Sequence, residues 1–131
     1  MIGNKKISVV IPCYREIKKI SLVLQAIPDL VDHIYCIDDA CPDHTGDFVK
    51  QNIKDARLKV ITHKDNLGVG GATISGYNAA IIDGADIVVK IDGDGQMDPS
   101  LIHRFIQPIL DGKADYTKGN RFYRLENLSG M

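Results

Sequence analysis

Asp86-Ile-Val-Val-Lys-Ile-Asp-Gly-Asp-Gly-Gln-Met-Asp-Pro99 is the stretch that decides the fold. Residues 86–92 carry a β-branched apolar run bounded by acids, the strongest strand signal in the chain. Asp98-Pro99 then has the form of a helix N-cap followed by proline at the first helical position. Leu101, Ile102, Phe105, Ile106 and Ile109 continue at helical spacing. A strand therefore passes through an acidic, glycine-bearing turn into a helix.

The same alternation extends outward in both directions. Upstream, Lys6–Ile11 is a buried strand closed by Pro12, and Ile17, Ile20, Val23, Leu24 and Ile27 mark a helix ending at Pro28. His33–Asp38 is a second strand, 45–54 a weaker helix with Phe48, Val49 and Ile53 inward, and Leu58–Thr62 a third strand. The Gly-rich stretch 66–71 leads into a helix carrying Ile74, Tyr77, Ala80 and Ile81. Downstream, 115–118 reads as a fifth strand, and after Gly119 the chain turns polar and basic without closing a further unit. This β-α-β order implies an α/β, doubly wound, mostly parallel, Rossmann-like sheet with helices on both faces. Ligands in such sheets bind outside the carboxyl ends of the strands. The residues to inspect are then 12–16, Asp38-Asp39, 63–71 and 92–98, and each of these four loops carries at least one acid.

Composition bounds the rest. The 131 residues, 44% hydrophobic and 25% charged, suit one soluble globular domain and exclude disordered, collagenous and disulfide-scaffold classes. A net charge of −1 gives no general attraction to nucleic acid or anionic membranes. No apolar run approaches the ~18 residues of a membrane span, and the first residues do not form a signal peptide. Of 17 acids only Glu16 and Glu126 are Glu, so the acidity belongs to caps, turns and cation ligands. Cys13, Cys36 and Cys41 are odd in number and lack CxxC spacing, which points to a reducing compartment and thiols with no metal role.

Asp92 and Asp94 flank one glycine just past a buried strand, so both carboxylates can turn toward one point, with Gly93 and Gly95 permitting the tight backbone. Such oxygen ligands suit Mg²⁺ or Mn²⁺, and Gln96 adds a neutral oxygen. A plain acidic turn is the bland alternative. An EF-hand is opposed by Met97 at the glycine position, His103 at the glutamate position and a preceding strand. A receiver-like phosphoacceptor signalling domain, pairing Asp38-Asp39 with Asp92 and Lys118, is opposed by the acid pair following the second strand rather than the first. A dinucleotide fingerprint starting at Gly68 fails at Thr73. That loop either brings helix N-terminal amides to a diphosphate or is a helix start needing small residues.

Taken together, four segments resemble the nucleotide-sugar-binding half of family 2 glycosyltransferases, of GT-A fold. They are Ile7-Ser-Val-Val-Ile-Pro-Cys-Tyr-Arg-Glu16, Ile37-Asp-Asp-Ala-Cys-Pro-Asp43, Asn66-Leu-Gly-Val-Gly-Gly-Ala72 and the DxD turn 92–99. Lys118-Gly-Asn-Arg-Phe122 is similar to a segment of the polyprenyl-phosphate, dolichol-phosphate mannose synthase-like branch. The resemblance implies that Pro12, Tyr14 and Glu16 hold nucleoside and ribose, and that Asp39, with Asp38 beside it, accepts a hydrogen bond from the base. It implies Asp92 on ribose or metal, Asp94 and Gln96 on a divalent metal (Mg²⁺ or Mn²⁺), and Arg121 on the diphosphate. The implied reaction is inverting transfer of a sugar from a UDP- or GDP-sugar to an acceptor, a lipid phosphate among them. Two departures stand out: the usual Asp-Asp-Gly-Ser turn is Asp38-Asp39-Ala40-Cys41, and the catalytic base of inverting members lies beyond Met131, with no role given to Glu126. The chain is expected to be a single, truncated domain over 1–131. The whole protein is expected in the cytoplasm or on the cytoplasmic face of a membrane.

Overall fold

A computed structural model describes residues 4–93, 98–110, 116–117 and 122–124. The element order is β1 Ile7–Cys13, α1 Ile17–Gln25, β2 His33–Asp38, α2 Thr45–Asn52, β3 Leu58–Thr62, α3 Gly68–Ile82 and β4 Ile87–Lys90. A 3₁₀ turn, Pro99–Leu101, then opens α4 Ile102–Leu110, followed by β5 Tyr116–Thr117 and β6 Phe122–Arg124. The Asp98 carboxylate accepts from the Ser100 amide at 3.0 Å, so the expected cap before Pro99 forms.

The sheet order is β3-β2-β1-β4-β6-β5. β3, β2, β1 and β4 run parallel, while β6 pairs antiparallel with both β4 and β5. The chain winds outward from β1 to β3, then returns to place β4 on the other side of β1. The gap between β1 and β4 is therefore where the winding direction reverses, the position at which open α/β sheets form a crevice at their strand ends.

β-Branched residues on β1, β2 and β4 build two packed layers. Ile7, Val9, Ile11, Cys13, Ile87 and Val89 join Ile20, Val23 and Leu24 of α1, Val49 of α2 and Ile102, Ile106 and Ile109 of α4 on one face. Val10, Tyr35, Ile37 and Val88 meet Ala72 and Ala80 of α3 on the other. Helices thus cover both faces, as the alternation predicts.

Three expectations need correction. Strand β1 runs through Pro12 to Cys13 instead of stopping at Ile11. The Val10 carbonyl accepts from the Ile91 amide at 2.9 Å, so Pro12 faces the β4 side one step beyond that strand's last bond, and its missing N–H leaves no ladder donor unmade. On α3, Ile74 and Ile81 are 60% and 50% exposed, and the buried positions are Ala72, Gly76 and Ala80. A Cβ on Gly76 would sit 2.2 Å from Val10 Cγ1, so the helix approaches the sheet most closely at small residues, with Tyr77 packed partly buried beside them while Ile74 and Ile81 point away. Finally, the polar stretch after Gly119 does add a strand, β6, held by backbone pairing and too short to show periodicity.

Candidate functional site

At the β1–β4 gap lies a crevice of about 200 Å³ lined by Pro12, Cys13, Tyr14, Glu16, Asp39, Val69, Ala72, Asp92 and Gly93. Each strand tip delivers its part. β1 ends in Pro12-Cys13-Tyr14, β2 hands over to Asp39, β4 to Asp92-Gly93, and the first turn of α3 supplies Val69 and Ala72. A Cβ on Gly93 would lie 3.2 Å from Glu16 Cγ, so the close approach of the β4 tip to the start of α1 uses a glycine. Pro12, Tyr14, Glu16, Asp39 and Asp92, singled out from sequence, therefore share one cavity.

Asp38 and Asp39 behave differently although adjacent, because alternate residues of a strand point to opposite faces. Asp38 turns inward: one oxygen accepts from the Cys41 amide and the other from the Gly46 amide, both at 2.8 Å. It thereby pins the first turn of α2, where a Cβ on Gly46 would collide with the carboxylate 2.7 Å away. Asp38 is not among the residues lining the crevice.

Asp39 points to the start of α3. Its Oδ1 accepts from His63 Nδ1 and from the Leu67 amide, and its Oδ2 from the Gly68 amide, all at 2.8 Å. The side chain is 6% exposed. Burial alone would raise its pKa, but the bonds from His63, Leu67 and Gly68 outweigh it and hold the carboxyl below the ordinary carboxylate range. Of the two readings of the Gly-rich loop, the anion held by the Leu67 and Gly68 amides is this chain's own carboxylate. Asp39 acts as the cap that α3 lacks from its own N-cap residue, Leu67.

The turn after Asp39 keeps its shape without the usual glycine. Ala40 takes φ 57°, the left-handed conformation that glycine adopts freely. Its backbone places the Cys41 amide on Asp38 and the Cys41 thiol 3.1 Å from the Cys13 carbonyl. All three cysteines are buried and free. Burial, with Asp38 adding to it, pushes the Cys41 thiol up to about 11, and the Cys36 hydrogen bond with burial raises Cys13 well above the usual thiol range.

Asp92 is half exposed at the crevice edge, and its Oδ1 lies 3.0 Å from Lys90 Nζ, an ammonium whose side chain is only 13% exposed. Asp94, Gln96 and Arg121 lie outside the described residues. Among the described residues no group of three His, Cys, Asp or Glu side chains could hold a metal ion.

Two residues were missed by sequence reasoning, His63 and Lys90. His63 sits at the carboxyl end of β3, in a loop flagged only as a segment. Lys90 was visible as a lone charge inside an otherwise apolar strand, which signals a buried partner.

An open α/β sheet of this winding, with acids gathered at the reversal point, is the GT-A type of domain. The sequence matches Glycosyl transferase family 2 over residues 8–130. It is 33% identical to a UDP-N-acetylglucosamine–dolichyl-phosphate N-acetylglucosaminyltransferase of Methanococcus voltae, across 98% of this chain and 57% of that protein. It is 31% identical to an undecaprenyl-phosphate mannosyltransferase of Micrococcus luteus, across 88% of this chain and 48% of the relative. Among solved structures, glucosyl-3-phosphoglycerate synthase of Mycobacterium tuberculosis with Mn²⁺, UDP and glucosyl-3-phosphoglycerate superimposes with a TM-score of 0.64 at 25% identity, covering 82% of this chain and 40% of that one. The chain belongs to glycosyl transferase family 2. It spans about half the length of the curated relatives it matches. The phosphoacceptor alternative finds no support in these matches. No helix among the described residues is long and apolar enough to cross a membrane.

Proposed function

We propose that the whole protein transfers a sugar from a UDP- or GDP-sugar to an acceptor, with a polyprenyl phosphate as the acceptor class, and that this chain is its donor-binding part. The crevice at the β1–β4 gap carries the reading, because it gathers Tyr14, Glu16, Asp39 and Asp92 at the place where α/β sheets bind nucleotides. The M. voltae and M. luteus relatives, named for dolichyl and undecaprenyl phosphate, support the acceptor class.

In this reading Pro12 and Tyr14 flank the nucleoside, and Asp39, fixed by three donors, accepts from the base. Glu16 and Asp92 face the ribose end of the crevice, and Arg121 takes the diphosphate. Asp92, Asp94 and Gln96 present hard oxygen donors of the kind Mg²⁺ and Mn²⁺ select, and Asp92 already stands at the crevice with a half-exposed carboxylate, so the residues fit a divalent ion. Lys90, pinned to one Asp92 oxygen, orients that carboxylate. A divalent ion held there supplies charge neutralisation on the departing diphosphate. Transfer with inversion requires a base to activate the acceptor, a role this reading assigns to none of the described residues.

Calorimetry with UDP- and GDP-sugars, with and without Mn²⁺, tests this. Expected is nucleotide binding that tightens with Mn²⁺ and loses that dependence in Asp94→Ala. Binding indifferent to the ion, or an Asp94→Ala variant with unchanged Mn²⁺ dependence, would contradict it.

A further inference from the structure

We infer that the crevice selects a nucleotide whose base presents a single imide N–H, uracil or thymine, over guanine, and that His63 is the positioning residue that sets this choice. The inference rests on the nucleotide-binding reading of the crevice and adds the base to it.

An ionised carboxylate donates nothing and offers roughly four acceptor positions, two on each oxygen. On Asp39 both positions of Oδ1 are filled, by His63 Nδ1 and the Leu67 amide at 2.8 Å each. One position of Oδ2 is filled by the Gly68 amide at 2.8 Å. A single acceptor position remains, on Oδ2, on a side chain 6% exposed that lines the crevice. His63 is held for this task from both sides. Asp39 is acceptor-only, so Nδ1 carries the proton, and Nε2 lies 2.8 Å from Ser75 Oγ on α3.

Guanine meets a carboxylate through two neighbouring donors, the ring N1–H and the exocyclic amine, one to each oxygen. With Oδ1 saturated, the second donor would leave water without gaining a partner, which binding sites penalise heavily. Uracil and thymine present one N3–H between two carbonyls, and one Oδ2 position satisfies it. Cytosine would set a ring acceptor against the carboxylate. His63 matters because it occupies the Oδ1 position that guanine needs.

The test is competition binding of UDP, dTDP and GDP to the protein in Mn²⁺. The tighter of UDP and dTDP should exceed GDP by about tenfold or more, and which of the two binds tighter identifies the base. GDP binding as tightly as both would overturn the inference while leaving the nucleotide reading intact. Failure of all three to bind would instead contradict the nucleotide reading on which it rests. His63→Ala should reduce the preference over GDP to a few-fold, by freeing Oδ1. His63→Asn, which keeps an N–H near the Nδ1 position, should retain it. An undiminished preference in His63→Ala would remove His63 from the role.

Discussion

Asp39 and Ala40 show how much a single backbone position decides. Ala40 holds the left-handed conformation at a cost of about 1 kcal/mol that glycine does not bear. Ala40→Gly should therefore stabilise the domain by about 0.5–1 kcal/mol in urea melts, despite glycine's greater unfolded-state freedom, and leave nucleotide binding in place. Asp39 gives a pH signature. Its carboxyl is depressed in the folded state by His63 and two amides against the opposing effect of burial. Its stabilisation is thus complete above the ordinary unfolded value near pH 4 and fades as pH falls through the lower folded value. Asp39→Asn should cost about 2 kcal/mol at pH 7, with the gap to the parent closing below about pH 4 in acid-titrated melts. At this scale the sequence was informative about which acids mattered and silent about how they divide. Asp38 and Asp39 are neighbours with identical chemistry, and only strand alternation sends one to cap α2 and the other to the crevice.

Among the elements, α3 carries the lesson most clearly. Apolar spacing marked Ile74, Tyr77, Ala80 and Ile81 on this helix without ranking them. The helix sits so close to β1 that Ala72, Gly76 and Ala80 are buried, Tyr77 packs partly buried beside them, and Ile74 and Ile81 are exposed. Burial there follows the room available rather than hydrophobicity, which no periodicity encodes. Gly76→Ala should gain up to about 1 kcal/mol in helix propensity yet lose more through overpacking against Val10. A net destabilisation of about 1–2 kcal/mol is expected in denaturant unfolding, and a stabilised variant would show that α3 can move away from the sheet. β1, β2, β3 and β4 were legible because each is a β-branched run bounded by polar residues. β6, with three residues, is stabilised by the sheet edge it joins and carries no signal of its own.

For the whole molecule, the alternating strands and helices predicted the doubly wound sheet, and the rule that ligands bind beyond the carboxyl ends of its strands pointed to the loops that line the crevice. What the sequence could not supply was the pairing of β6 between β4 and β5, since short antiparallel edge strands depend on partners distant along the chain. The crevice gathers residues from positions 12 to 93, so its integrity reports on the entire parallel core. Nucleotide diphosphate should enter there. An NMR titration of the ¹⁵N-labelled protein with UDP and Mn²⁺, compared with a Mg²⁺ control, reads this directly. Shifts concentrated on the amides of Cys13, Tyr14, Asp39, Val69 and Gly93 are predicted. Shifts confined to other parts of the sheet, or absent at saturating nucleotide, would contradict the assignment.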